Sequence, residues 1–281
     1  MRLLLLFLLL LAATADAQPS GGPYGPVDRY YEVPDAAHVY YVAPDGKADA
    51  AGTSPERPTT LAAAIERVVT GDAVILRGGT YRTGGLLLNQ GVTLQPYADE
   101  RPILKGTEIA AEWQALGNNV WKTSWTKLFP AAPLGWWQRD REGMHTPLHR
   151  FNNDMVFVDG ELLKSVAWEG ELDAQSYYIN YESGAVYIGV DPANRQVEIT
   201  AHDSALVRTS APVHGKTNDR KGPVIRGITF TQYAYRALEV EGKKQLTAND
   251  EPTDEPLGPA GPATFGKEVI GTVLADETIS Y

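Results

Sequence analysis

The sequence predicts an all-β fold: short parallel strands stacked as coils of a parallel β-helix, covered at the start by one helix and interrupted by a small antiparallel β domain. Three observations predict it. Short apolar runs follow one another across turns too brief for the dozen-residue crossover of a βαβ unit. The phrase Gly91-Val92-Thr93-Leu94 returns as Gly227-Ile228-Thr229-Phe230 and, more loosely, as Thr278-Ile279-Ser280-Tyr281, and strands repeated at such spacing stack as a solenoid. All six tryptophans fall between residues 111 and 222, a composition shift that marks an insert.

The elements follow in order. Met1-Arg2, the apolar run Leu3–Ala13 and Ala15-Asp16-Ala17 have the layout of a secretory signal, so residues 1–17 are read as removed before Gln18. Residues 18–36, rich in proline and glycine, are a flexible leader. His38–Val42 is the first strand. Thr59 or Thr60 caps a helix through Val69, whose Leu61, Ala64, Ile65, Val68 and Val69 share one face. Placed just before the first coil, that helix covers an otherwise bare sheet edge. Val74–Leu76, Leu86–Leu88, Val92–Leu94 and Ile103–Leu104 are coil strands, with Gly78-Gly79 and Gly84-Gly85 at corners, so the cap and first coils take residues 37–110. In the insert, 111–222, Met155–Val158 leads into an Asp159-Gly160 turn. Tyr177–Tyr181 and Ala185–Ile188 flank Glu182-Ser183-Gly184 as a hairpin, and Val197–Thr200 is a further strand. Residues 223–281 return to coils and stop in mid-strand, as the front of a longer protein or a truncated product would.

Composition bounds the function. The chain has 281 residues, 43% of them hydrophobic, enough to bury a core. Its 35 acidic and 25 basic side chains leave a net charge of −10, which argues against a nucleic-acid partner. The absence of cysteine excludes disulfides, thiol catalysis and Cys-ligated zinc. An exported chain without cysteine suits a secreted or periplasmic bacterial protein, free of the membrane once the signal is cleaved and monomeric.

The run Tyr40-Tyr41-Val42-Ala43-Pro44-Asp45-Gly46, the helix 59–69, Gly71-Asp72-Ala73-Val74-Ile75-Leu76 and Gly79-Thr80-Tyr81 resemble the opening of secreted right-handed parallel β-helix proteins of the pectin-lyase-like group. The resemblance covers residues 38–108 and returns at 224–241. Phe157–Leu163 and Tyr187-Ile188-Gly189 are similar to the β-sandwich insert of some β-helix glycosidases. The resemblance implies a carbohydrate-active protein, a polysaccharide lyase or a glycoside hydrolase, with a polysaccharide as its partner. No complete catalytic motif of the group matches here residue by residue.

Candidate site residues come from local chemistry. Leu238-Glu239-Val240-Glu241 alternates, so Glu239 and Glu241 project from one strand face, about 6.5–7 Å apart. That spacing suits an inverting carboxylate pair or a calcium seat, and outward strand positions are also commonly polar without function. Arg236 can grip a uronate carboxylate, and Tyr233 and Tyr235 can stack on a sugar ring, or each can serve surface and packing. Trp136-Trp137 with Arg139 and Arg141 has the makings of a saccharide platform, or of an insert core beside a basic loop. His145 and His149 are spaced as a helical zinc pair, but Pro147 between them disfavours a helix. Asn249-Asp250-Glu251 and Asp254-Glu255 read as a solvated acidic loop. The open readings of function are a lyase or hydrolase acting on a polysaccharide, a non-catalytic glycan-binding solenoid, and an inactive fragment of a longer enzyme.

Overall fold

A computed structural model describes residues 29–131, 147–219, 221–241, 273–275 and 278–280. The signal at 1–17, the leader as far as residue 28 and the acidic loop at 249–255 lie outside the described residues. The chain is β apart from one described α-helix and short 3-10 turns.

The expected flexible leader ends earlier than residue 36. Tyr31 N donates to the Ala98 carbonyl at 2.8 Å, Gln95 Nε2 donates to the Glu32 carbonyl at 2.8 Å, and the Arg226 guanidinium sits 5.7 Å from the Tyr31 ring centre. Strand β1 (Val39–Val42) then leads to helix α1 (Leu61–Arg67). The Thr60 hydroxyl accepts from Ala63 N at 3.2 Å, a conventional N-cap. Leu61, Ala64, Ile65 and Val68 are buried against the coil strands. The helix is shorter than the expected 60–69, because Val68 turns extended and Val69 faces solvent. Lys216 Nζ donates to the carbonyls of Glu66 and Val68 at 2.6 and 2.9 Å, satisfying acceptors that every helix leaves open at its C-terminus.

Strands β2 (Ala73–Leu76), β3 (Gly79–Arg82) and β4 (Leu86–Leu88) lie on three separate sheets, β2 pairing in parallel with β1. Strands β5 (Thr93–Pro96) and β6 (Pro102–Lys105) then pair in parallel with β2 and β3, placing Leu94 beside Val74 and Leu104 beside Tyr81. Each residue finds its partner one circuit away, so like side chains stack. The inward column fills with Val74, Leu76, Leu88, Leu94 and Leu104, all fully buried.

The third side of the second circuit is delayed by the insert. It contributes β7 (Thr107–Ile109), β8 (Gln114–Gly117), β9 (Val120–Ser124), β10 (Val156–Val158), β11 (Glu161–Leu162), β12 (Lys164–Ser165), β13 (Ser176–Asn180), β14 (Ala185–Ile188) and β15 (Val197–Thr200). These form two sheets, ordered β11-β10-β15-β7 and β12-β13-β14-β9-β8, antiparallel except where β12 meets β13. Between them lies a second apolar cluster, including Val156, Ile179, Val186, Ile188, Val197 and Ile199. The Asp159-Gly160 turn has both residues at positive φ (54° and 88°) and joins β10 to β11 through two residues, a type I′ hairpin.

Strand β16 (Ser204–Arg208) resumes the coils by pairing in parallel with β4, Leu206 beside Leu86. Strands β17 (Val224–Arg226), β18 (Thr229–Thr231) and β19 (Arg236–Val240) complete another circuit. Strands β20 (Val273–Ala275) and β21 (Thr278–Ser280) add to its first two sheets. Two expectations are corrected here. The antiparallel region runs from Thr107 to Thr200, not from 111 to 222: the tryptophans mark the body of the insert but not its edges. And the repeat is only partly real. Thr229 pairs with Thr278 and Phe230 with Ile279, but Thr93 and Leu94 lie on another sheet, beside Val224 and Ile225.

Candidate functional site

The insert leaves and rejoins the coils at Gly106. Its carbonyl accepts from Ala201 N at 2.8 Å and from His202 N at 3.0 Å, so entry and exit are tied to one atom. A Cβ on residue 106 would stand 2.5 Å from the Gln232 carbonyl oxygen, which explains the glycine. Below this point Glu198 of β15, with no exposed surface, accepts from Lys105 Nζ at 2.8 Å through both oxygens and pairs with Arg82. Burial alone would raise the Glu198 carboxyl, but Lys105 and Arg82 outweigh it and hold the group below its ordinary range. Thr107 Oγ1 donates to Gln232 Oε1 at 2.7 Å beside this triad. The inner seam is therefore closed by paired polar groups.

The outer seam is open and chemically richer. Glu108 of β7 is paired with Lys127, and His202 Nε2 stands 3.5 Å from Glu108 Oε1 with no closer polar partner. Burial lowers the His202 pKa, so its ring is neutral near pH 7. Next to His202, Asp203 accepts from the backbone N–H of Tyr235 and Arg236 at 3.0 and 3.2 Å. This turn presents the Tyr235 ring, 53% exposed, which meets Phe129 of the insert edge-on, with centroids 6.0 Å apart and planes at 80°. Phe129 is held in turn by Asp154: its N–H donates to Asp154 Oδ2 at 2.8 Å, and Tyr181 OH donates to the same oxygen at 3.1 Å. Asp154 is fully buried and its Oδ1 has no partner, so burial pushes its carboxyl up to about 6 despite those two donors.

The expected site residues separate. Tyr235 and Arg236 lie at this seam, and Arg236 Nε donates to Glu239 Oε2 at 3.0 Å. Tyr233 is corrected: it is buried in the coil core, its hydroxyl donating to the Thr83 carbonyl at 2.8 Å, so no sugar can reach its ring. Glu241 accepts from Thr209 Oγ1 and Ser210 N at 2.6 and 3.1 Å, a clasp between coils. Glu239 is thus turned to Arg236 and Glu241 to this clasp. Among the described residues no group of three or more potential ligands gathers for a metal. Trp136, Trp137, Arg139, Arg141 and His145 lie outside the described residues. Glu108, Lys127, Phe129, Asp154 and His202 were missed by sequence reasoning. None stands in a motif, and only the pairing of β7 with β15 brings Glu108 near His202.

No protein-family description and no curated protein matches this chain. Among solved structures it is similar to XylC in a complex with xylose, at 18% identity over 70% of this chain and 36% of that one, with a TM-score of 0.49. It is also similar to a protein described as a glycoside hydrolase, at 13% identity over 70% of this chain and 51% of that one, with a TM-score of 0.44. The chain thus spans about a third of the length of the first and half of the second.

Proposed function

We propose that this chain belongs to a secreted carbohydrate-active protein whose coils form a right-handed parallel β-helix of the pectin-lyase-like kind, and that the outer seam binds a polysaccharide. The observation that carries the reading is the exposed Tyr235 ring, held edge-on by Phe129 between two ion pairs, Arg236–Glu239 and Lys127–Glu108. A sugar offers an apolar C–H face and a rim of hydroxyls. A fixed aromatic ring flanked by donors and acceptors of both signs is complementary to that pattern.

A second reading, binding without turnover, is favoured by a separate observation. Glu108 and Glu239 are each engaged by a cation, Glu241 by two donors, and Asp154, the one carboxyl among the described residues with a raised pKa, is sealed from solvent. General acid catalysis needs a raised carboxyl that reaches the substrate.

The test is to incubate the full chain with uronate and neutral polysaccharides. New reducing ends, or the ultraviolet absorbance of new double bonds, together with loss of turnover in Glu108→Gln, would establish an enzyme. Retention of a polymer without either signal, weakened by Tyr235→Ala, would establish the binding reading. Neither retention nor turnover on any polymer would defeat both.

A further inference from the structure

Away from the seam, the insert presents a tryptophan to solvent beside other exposed apolar side chains such as Leu148 and Leu162. Trp168 is 59% exposed, and it is not a loose surface residue. A Cβ added to Gly170 would stand 2.0 Å from Trp168 Cη2 and 2.1 Å from Cζ3, so the indole lies directly on the Gly170 backbone. The ring is bedded by a 3-10 turn, Glu169–Glu171, that opens at Trp168. Glu171 secures the turn, its N–H donating to the Trp168 carbonyl at 3.1 Å and its Oε2 accepting from Ala167 N at 3.0 Å. The indole is therefore oriented before any ligand arrives, and little side-chain freedom is left to lose on contact.

The turn stands at the rim of a cleft of about 700 Å³, which Val166 and Glu171 help to line. Its other polar walls come from Arg150, Asn152, Lys164, Ser165 and Asp173, so donors and acceptors of both charges face one space. His149 also lines it, and its Nδ1 is buried without a hydrogen-bond partner. A lipid surface calls for an apolar rim with cations, and an acidic partner calls for an excess of cations. The equal mix of Arg150 and Lys164 with Glu171 and Asp173 fits neither. It fits a chain of hydroxyls beside an apolar ring.

We propose that the insert carries a saccharide subsite of its own, separate from the seam, with Trp168 as its stacking platform and the adjoining cleft as its hydroxyl-binding wall. The inference rests on the reading that the ligand is a polysaccharide, and adds a site that seam variants leave untouched.

The test uses the full chain with soluble xylan and with sodium alginate as probes, binding being read by retardation in a polymer-containing gel and by tryptophan fluorescence. The variants are Trp168→Ala, Trp168→Phe and Gly170→Ala, the last lifting the ring while keeping it. Expected are about tenfold weaker binding in Trp168→Ala, a several-fold loss in Gly170→Ala, and near-full retention in Trp168→Phe, with unfolding midpoints unchanged. The loss should persist when Tyr235→Ala is added. Binding that survives both Trp168→Ala and Gly170→Ala overturns this subsite and leaves the seam reading standing. Failure of the wild-type chain to bind either polymer overturns the subsite together with the seam. A fluorescence shift on phosphatidylglycerol vesicles without one on either polymer overturns it in favour of a lipid surface.

Discussion

The coils and the insert satisfy their backbones in opposite ways. In the coils every strand is three to five residues long and finds its partners a full circuit away, as Leu206 does between Leu86 and Leu238. In the insert the partners of β8 and β13 are the very next strands, reached through turns of two and four residues. The cores differ accordingly. The coil interior is mostly aliphatic and stacked in columns, whereas Trp113, Trp121 and Trp125 pack against the flank of the insert core. The coils depend on circuits beyond themselves, while the insert closes its sheets among its own strands, some adjacent and some distant in sequence. The two regions should therefore fail separately, and only the seam makes them fail together.

The largest effect is expected at Glu198. Glu198→Ala leaves Arg82 and Lys105 facing each other without their shared anion in a buried site. The expected cost is about 3–5 kcal/mol, in the range for removing one partner of a buried ion pair. Calorimetry should show one transition in the wild-type chain resolve into two, one for each region. A single transition that merely moves down in temperature would mean that the regions are coupled elsewhere.

Next in size are paired core truncations. Leu94→Ala in the coils and Ile199→Ala in the insert each remove a fully buried side chain and should cost about 2–5 kcal/mol. Combined with Glu198→Ala, each should lower only its own transition. If either lowers both, the two cores act as one.

The same contrast explains what could be read in the sequence and what could not. Hairpins announce themselves locally: Asp159-Gly160 marked one, and the four-residue connection ending in Gly184 another. The Asn118-Asn119 turn, both residues at positive φ, was missed although it joins β8 to β9 in the same manner. Coil strands carry less local information, because what fixes them is the circuit above. The β-rich character, the helix over the first coil and most short strands were visible as apolar runs. The register was not, so Gly91-Val92-Thr93-Leu94 was matched to a strand on a different sheet. Ser204–Arg208 hid its coil membership because it ends in arginine. Arg208 is fully buried, donating to the Lys221 and Thr209 carbonyls and to Asn218 and Asp219. Of the candidate site, Tyr235 and Arg236 were visible, while Glu108, Phe129 and His202 meet only through long-range pairing.

The third test uses pH and concerns the insert alone. Asp154 is protonated more readily in the folded chain, its pKa rising from 3.8 to about 6. The stability that the protonated form contributes is complete below about pH 4 and is lost as pH rises through about 6. The gap corresponds to about 3 kcal/mol at most, at about 1.4 kcal/mol per unit. The insert transition should therefore weaken between pH 4 and 7. Asp154→Asn, whose amide oxygen still accepts from Phe129 N, should flatten that slope. Glu198 acts with the opposite sign, because its pKa is depressed: its contribution is present above the ordinary carboxylate range and fades as the solution is acidified below it. A slope that survives Asp154→Asn would assign the effect to another group.

The smallest expected effect falls on the coils. Thr60→Ala removes the hydroxyl that accepts from Ala63 N and should cost about 1 kcal/mol, with Thr60→Ser restoring most of it. Helix α1 is only seven residues long and cannot persist by itself, so its worth lies in the coil face it covers. Its contacts run to β1, β2 and β4, all coil strands, and its C-terminal carbonyls are held by Lys216 from the loop that follows β16. The loss should therefore appear in the coil transition and not in that of the insert. Measured together with Glu198→Ala, the cap variant separates two roles for the helix. If it covers the first coil, the coil transition falls by the same amount with the seam intact or broken. If the insert transition falls as well, the first coil communicates with the insert by a route other than Glu198, through β3 and β6, where Arg82 and Lys105 reside.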